Sequence, residues 1–206
     1  MITLYQFQIS PFCDKVRRIM NWKQLDYKIE EVSLMKLLGI KKKYQVVKLP
    51  FIEHEGKTIG DSTDIAYYLE EKFPEKPILP KDPGERALVH FFEDWSDEGL
   101  YFYEMRLRFG ITHNAKKTIP ELAHADSRII KALSPMIVSS KTKSSLSHQG
   151  LGGKSDEQIL IDVNRHVEAV GNHLSMKQIG WWAVLYPWPI SAYLPNCFVS
   201  ETVLKD

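Results

Sequence analysis

Cysteine is nearly absent: Cys13 and Cys197 are the only two in 206 residues. Two thiols cannot build a disulfide framework, so the expected compartment is a reducing cytoplasm. Long apolar runs are missing as well. No stretch reaches the ~18 residues a membrane span needs, and Met1 leads straight into a strand pattern with no basic-then-apolar leader, so neither a span nor a signal peptide is expected. Nor does one sign of charge prevail. Lys and Arg number 27 against 26 Asp and Glu, a net charge of +1, which argues against a nucleic-acid partner needing a concentrated positive face. The histidines, His54, His90, His113, His124, His148, His166 and His173, show no metal-ligand spacing, and no metal site is expected.

What is present reads as an ordinary globular chain with enough residues for a substantial core. Ile2, Leu4 and Phe7 mark a first strand. Cys13, Val16, Ile19 and Met20 recur at helical spacing, with Asp14, Lys15, Arg17 and Arg18 between them as a polar face. Tyr27, Ile29 and Val32 alternate as a second strand. Strand, helix and strand in that order predict a right-handed crossover with a parallel pair. The segment from Leu34 to Tyr44 gives no clear pattern, and its Lys41-Lys42-Lys43 run reads as a solvated face. Pro50 interrupts Val46 to Ile52 and belongs at a strand start or tight turn. Glu55-Gly56-Lys57 reads as a hairpin turn, Thr58 to Gly60 as the returning strand, and Asp61-Ser62 as the start of a helix carrying Ile65, Tyr68, Leu69 and Phe73.

Four prolines, Pro74, Pro77, Pro80 and Pro83, then mark a linker over 74–84, because neither a helix nor a central strand tolerates them. It divides the chain into residues 1–73 and a helical part, 85–206. One aromatic-rich helix is expected from about Glu85 to Phe109, and a second from a capping box at Thr118 and Glu121 to Leu133. The polar stretch from Ser139 to Lys154 reads as a loop. A second capping box, Ser155 with Gln158, opens a helix whose apolar positions are Ile159, Val163, Val167, Val170 and Leu174. Phe91, Phe92, Trp95, Tyr101, Phe102 and Tyr103 are expected in core and interdomain packing, some facing an apolar pocket.

Ser10-Pro11-Phe12-Cys13 places a hydroxyl and a thiol at the start of the first helix. Ser10 can cap it and Pro11 suits its first position, while the free amides and the dipole favour an anion nearby, such as a thiolate. On these four residues alone a cap over a buried cysteine is the better-fitting reading, since both are common.

Three pieces in order, Ser10-Pro11-Phe12-Cys13, Lys48-Leu49-Pro50 and Asp61-Ser62, resemble the glutathione transferase superfamily over about residues 1–175. The resemblance implies an α/β thioredoxin-like N-terminal domain followed by an all-α C-terminal domain, working as a cytoplasmic homodimer. Glutathione would be its cosubstrate and a small apolar electrophile its partner. In the serine-type classes the motif's serine activates glutathione, which assigns Ser10 that role. Leu49 and Pro50 would present backbone to the cysteinyl residue, Asp61 and Ser62 would hold the γ-glutamyl end, and Lys48 and Lys36 would meet the glycyl carboxylate. Phe12 belongs to the same substrate-binding set. Cys13 is the catalytic candidate of an alternative, a glutathione-dependent thiol-disulfide or dehydroascorbate-type reductase. Cysteine-type relatives, however, carry cysteine where this chain has Ser10. A non-catalytic interaction module is a further alternative, and Tyr5 is a minor candidate because other classes use a tyrosine in that vicinity.

The last part departs from the family. Residues 179–198 carry Trp181, Trp182, Pro187, Trp188, Pro189 and Pro195, which exclude a regular helix. Read one frame over, permitted codons from Ile179 to Tyr193 spell Trp-Leu-Val-Gly-Gly-Leu-Ile-Ser-Leu-Ala-Asp-Ile-Gly-Val, a family-like motif with its capping box. A local frame error restored near Val199 is therefore expected.

Overall fold

The structure is a computed structural model describing residues 1–46 and 48–175. The anomalous 179–198 run, the expected frame error and Cys197 lie outside the described residues. Four strands form one sheet in the order β2-β1-β3-β4. β1 (Ile2–Gln6) lies parallel to β2 (Tyr27–Glu31), as the crossover requires, and antiparallel to β3 (Phe51–His54), which pairs antiparallel with β4 (Lys57–Gly60). The β3–β4 turn has Glu55 at φ 50° and Gly56 at φ 76°, the doubly left-handed form that matches strand twist in a two-residue hairpin.

Alternation along β1 sends its side chains to both faces of the sheet. Ile2 and Leu4 join Val16, Ile19 and Met20 of α1 (Pro11–Trp22) and Ile65 and Leu69 of α3 (Ser62–Lys72) in one core. Tyr5 and Phe7 border a second core containing Phe51, Leu49 and Cys13, partly closed by Leu37, Ile40 and Tyr44 of α2 (Leu37–Tyr44). The unclear segment 34–44 thus resolves into a loop and a short helix. Together with the helices that follow, this is a thioredoxin-like sheet domain joined to an all-helical one.

A buried lysine ties down the proline-rich connection. Lys23 ends α1, and its Nζ donates to Glu70 Oε2 at 2.7 Å and to the carbonyls of Phe73 (2.8 Å) and Lys76 (2.9 Å). Glu70 in turn accepts the amides of Ile78 and Leu79, each at 3.0 Å to Oε1.

The helical half departs from the sequence pattern in three places. The aromatic helix is continuous from Pro83 to Gly110 but alternates in pitch: α4 (Pro83–Trp95), a π-helical turn (Ser96–Leu100), α5 (Tyr101–Met105) and a second π-helical turn (Arg106–Gly110). Thr118 caps nothing. It is buried inside α6 (Thr112–Leu122), its hydroxyl donating to the Asn114 carbonyl at 3.0 Å, while Ser127 caps the next helix. That helix, α7 (Arg128–His148), runs through most of the stretch expected to be a loop. Its buried stripe is Ser134, Val138, Thr142 and Leu146, so small hydroxyl residues hold inner positions that a hydrophobic pattern does not register. The Ser155 box forms as expected before α8 (Asp156–Ser175), with the Ser155 amide donating to Gln158 Oε1 and the Gln158 amide to Ser155 Oγ, at 3.0 and 3.2 Å.

Replacing Lys23 with Met would leave Glu70 facing the interior without its counter-charge. The expected cost is about 3 kcal/mol, read as a lower denaturant midpoint with an unchanged slope. An unchanged midpoint would show that the knot is not needed.

Candidate functional site

Ser10 adopts extended backbone (φ −75°, ψ 127°) immediately before α1, and its Oγ accepts the Cys13 amide at 3.5 Å. A hydroxyl that accepts from the helix can still donate its own proton. Ser10, Pro11 and Phe12 are half-buried, at the edge of a surface rather than inside the core.

Cys13 is fully buried with Val32, Leu49 and Phe51. Burial pushes its thiol up to about 11, and the hydrogen bond with Ser10 does not offset this. A thiol held neutral and out of solvent is packing, not a nucleophile, which corrects its expected place among catalytic residues. Tyr5 is corrected likewise. Its hydroxyl donates to Glu53 Oε2 at 2.5 Å and lies 3.1 Å from the Tyr44 hydroxyl, and burial first, then Glu53, drives its titration upward. It does not supply a phenolate.

Contacts between side chains join the other candidates. The Phe12 ring meets Tyr101 at a centroid separation of 4.7 Å, and Lys48 Nζ lies 6.0 Å from the centre of the same Phe12 ring. That ammonium is also 2.8 Å from Asp61 Oδ2. Lys48 comes just before Leu49 and the cis-bonded Pro50. Asp61 caps α3, with Oδ1 accepting the Thr63 amide at 2.9 Å. Its φ of 68° is costly for a residue with a Cβ, and such outliers persist where the surroundings hold them. Burial alone would raise the Asp61 carboxyl. The bonds from Lys48 and Thr63 and the charges of Lys48 and Lys15 outweigh it, so Asp61 titrates below the usual range. Ser62 is buried. Lys36 stands apart: it is exposed at the start of α2 and makes no ion pair among the described residues.

The residue missed from sequence is Lys15, assigned there to the polar face of α1. It is 3% exposed, and its Nζ donates to Ser62 Oγ (3.4 Å), Thr63 Oγ1 (3.3 Å), Asp97 Oδ2 (3.0 Å) and Glu93. One ammonium thus joins the helix that Ser10 starts, the helix that Asp61 starts, and the first long helix of the second domain. The readable signal was the carboxylate pair Glu93 and Asp97 at i, i+4 on a helix otherwise rich in aromatics. Asp97 is held up at about 6, first by burial and then by crowding from Glu93, against the pull of Lys15.

Other contacts frame the group. Asp126, between α6 and α7, accepts the amides of Leu34 and Met35 at 2.9 and 3.0 Å, so the helical domain clamps the loop before α2. Phe92 packs on His173, and Trp95 and Tyr103 on His166, between α4, α5 and α8. Phe91, expected inside, is 69% exposed. Among the described residues no cluster of His, Cys, Asp or Glu could hold a metal ion, and no helix is long and apolar enough to cross a membrane.

A carboxyl raised on folding takes up protons as the chain folds, so it costs stability as pH rises through the interval between its unfolded and folded values. Relative to Asp97→Asn, the unsubstituted protein is expected to lose on the order of 2 kcal/mol between about pH 4 and pH 7, measured by denaturant titration. Parallel pH profiles would remove Asp97 as the source.

Comparison with known proteins agrees with this geometry. Residues 4–77 match the family model described as glutathione S-transferase, N-terminal domain. Similar curated proteins include glutathione S-transferase 1 of Dianthus caryophyllus, 37% identical over 89 residues, which are 41% of this chain and 40% of that protein. Probable maleylacetoacetate isomerase 2 of Drosophila melanogaster is 36% identical over 92 residues, 42% of this chain and 40% of that protein. Glutathione S-transferase U7 of Arabidopsis thaliana is 29% identical over 102 residues, 48% and 44% of the two chains. The chain thus spans less than half the length of these curated relatives. A tau class glutathione S-transferase structure from mango, Mangifera indica, is 24% identical, covering 70% of this chain and 59% of that one with a TM-score of 0.45. The sheet order and the Ser10 start of α1 lie within the matched stretch, so residues 4–77 are similar to the N-terminal domain of glutathione S-transferases.

Proposed function

We propose that the protein is a glutathione transferase-like enzyme that activates the glutathione thiol at Ser10 for attack on a small apolar electrophile. The observation that carries this is Ser10 itself: a half-buried hydroxyl at the N-terminus of α1, where helix amides and the positive dipole end favour a thiolate. The Ser10 hydroxyl donates to the glutathione sulfur, the thiol proton leaves to solvent, and the sulfur forms a bond to the electrophilic carbon while a leaving group or π-electron pair is displaced.

The surrounding charges suit a peptide with an ammonium and two carboxylates. Lys48 pairs with Asp61, and glutathione would exchange these partners: its γ-glutamyl ammonium takes Asp61 and its glycyl carboxylate takes Lys48. The backbone at Leu49 and Pro50 faces the cysteinyl residue, and the α3 amides after Ser62 face the γ-glutamyl carboxylate. Lys15 fixes Ser62 and Thr63 from behind, and Lys36 is left out of the site. The reductase reading loses its nucleophile with the burial of Cys13. Relatives are named both as transferases and as maleylacetoacetate isomerases, and the electrophile is chosen by the helical domain, beginning with Tyr101 opposite Phe12. A cytoplasmic homodimer belongs to the same reading. Tyr67 on α3 and Phe91 on α4 offer exposed aromatic surface that a second copy would cover.

Retention on immobilised glutathione and turnover of a chromogenic aromatic halide test this. Ser10→Ala is expected to stay bound to the resin while kcat/KM falls by about 10- to 100-fold, the worth of one hydrogen bond to a charged group. Undiminished turnover in Ser10→Ala overturns Ser10 as activator, and a folded protein that passes through the resin favours a non-catalytic module.

A further inference from the structure

The turn that enters α2 presents four successive backbone amides, those of Leu34, Met35, Lys36 and Leu37, and a helix start leaves such groups without partners inside the helix. Ser33 meets the last two. Its Oγ accepts the Lys36 amide at 3.2 Å, and its carbonyl accepts those of Lys36 and Leu37, each at 3.1 Å. The first two are met from the other domain: Asp126 Oδ2 accepts the Leu34 amide at 2.9 Å and Oδ1 the Met35 amide at 3.0 Å. One carboxylate thus sits across a helix entry as a bound anion would.

Asp126 is itself firmly placed. It is 8% exposed, its own amide donates to the Ala123 carbonyl at 2.9 Å, and Ser127 beside it caps α7. α2 has less to stand on. It is eight residues long, includes Gly39, and its Lys36 cap makes no side-chain hydrogen bond, and a helix this short is marginal without tertiary contacts. It rests on the carboxylate at its entry and on Leu37, Ile40 and Tyr44, which pack against the core that contains Cys13 and Leu49. Both of those core residues adjoin the candidate site. The Cys13 amide donates to Ser10 Oγ, and Leu49 lies between Lys48 and the cis-bonded Pro50.

We infer that Asp126 is a positioning residue for glutathione binding: by holding the entry to α2 it fixes the core on which Leu49 presents its backbone, so a carboxylate of the helical domain sets the affinity of the sheet domain for the peptide. The inference rests on the glutathione reading of the site. Asp126 touches neither substrate and acts through α2.

Amide hydrogen exchange of the full chain, with steady-state kinetics on glutathione and a chromogenic aromatic halide, tests this. Asp126→Ala is expected to speed exchange over residues 34–44 and to raise the KM for glutathione by about tenfold, the worth of one hydrogen bond to a charged group. The kcat at saturating glutathione and the KM for the halide should stay within about twofold, a split that marks lost binding rather than lost chemistry. Asp126→Asn keeps the shape and drops the charge, and decides on the same criterion if the Ala variant does not fold. Lys23→Met controls for lowered stability and should leave the glutathione KM unchanged. Unchanged exchange over 34–44, an unchanged KM, a kcat that falls with it, or an equal rise in Lys23→Met overturns the proposal. An unsubstituted protein that passes through immobilised glutathione overturns the reading of the site instead, and exchange over 34–44 then decides alone whether Asp126 holds α2.

Discussion

Everything around the candidate site depends on one buried ammonium. Lys15 cannot leave water unless its charge and its protons are met, and here the hydroxyls of Ser62 and Thr63 and the carboxylates of Glu93 and Asp97 meet them. Those partners come from two domains, so satisfying this charge fixes the helix that Ser10 opens relative to the helix that Asp61 opens, and both relative to α4. Two carboxylates around one lysine are one more negative charge than the pair needs. Asp97 therefore sits at the margin of ionisation while Lys15 remains compensated.

Helix ends supply the rest of the chemistry. α1 follows the inner strand β1 and α3 the edge strand β4, each with an acceptor side chain at its cap, Ser10 and Asp61. Helix N-termini favour anions, and the Lys48 ammonium, paired with Asp61, adds positive charge beside the start of α3. Beside them, Tyr101 of the helical domain packs on the Phe12 ring.

Much of the first domain was legible because its signals are local: alternation in β1, Pro11 at a helix start, Glu55-Gly56 in a turn, Ser10 and Asp61 as caps. Their meaning as a site came from order and spacing along the chain, which no one of them carries. What escaped was non-local or chemically disguised. Lys15 looks like any surface lysine until Glu93 and Asp97, about eighty residues later, are folded against it. α7 hides because Ser134 and Thr142 occupy its inner face, and Thr118 mimics a cap because its spacing to Glu121 is right although the helix has already begun six residues before it.

The clamp at Asp126 is a contact between parts of the chain far apart in sequence. β1, α1 and β2 contact one another within about thirty residues of chain, so their pairing is local in sequence. The loop that follows is held from farther away. Its Leu34 and Met35 amides donate to a carboxylate 92 and 91 residues downstream. The loop before α2 in the sheet domain is therefore held in place by a carboxylate of the helical domain.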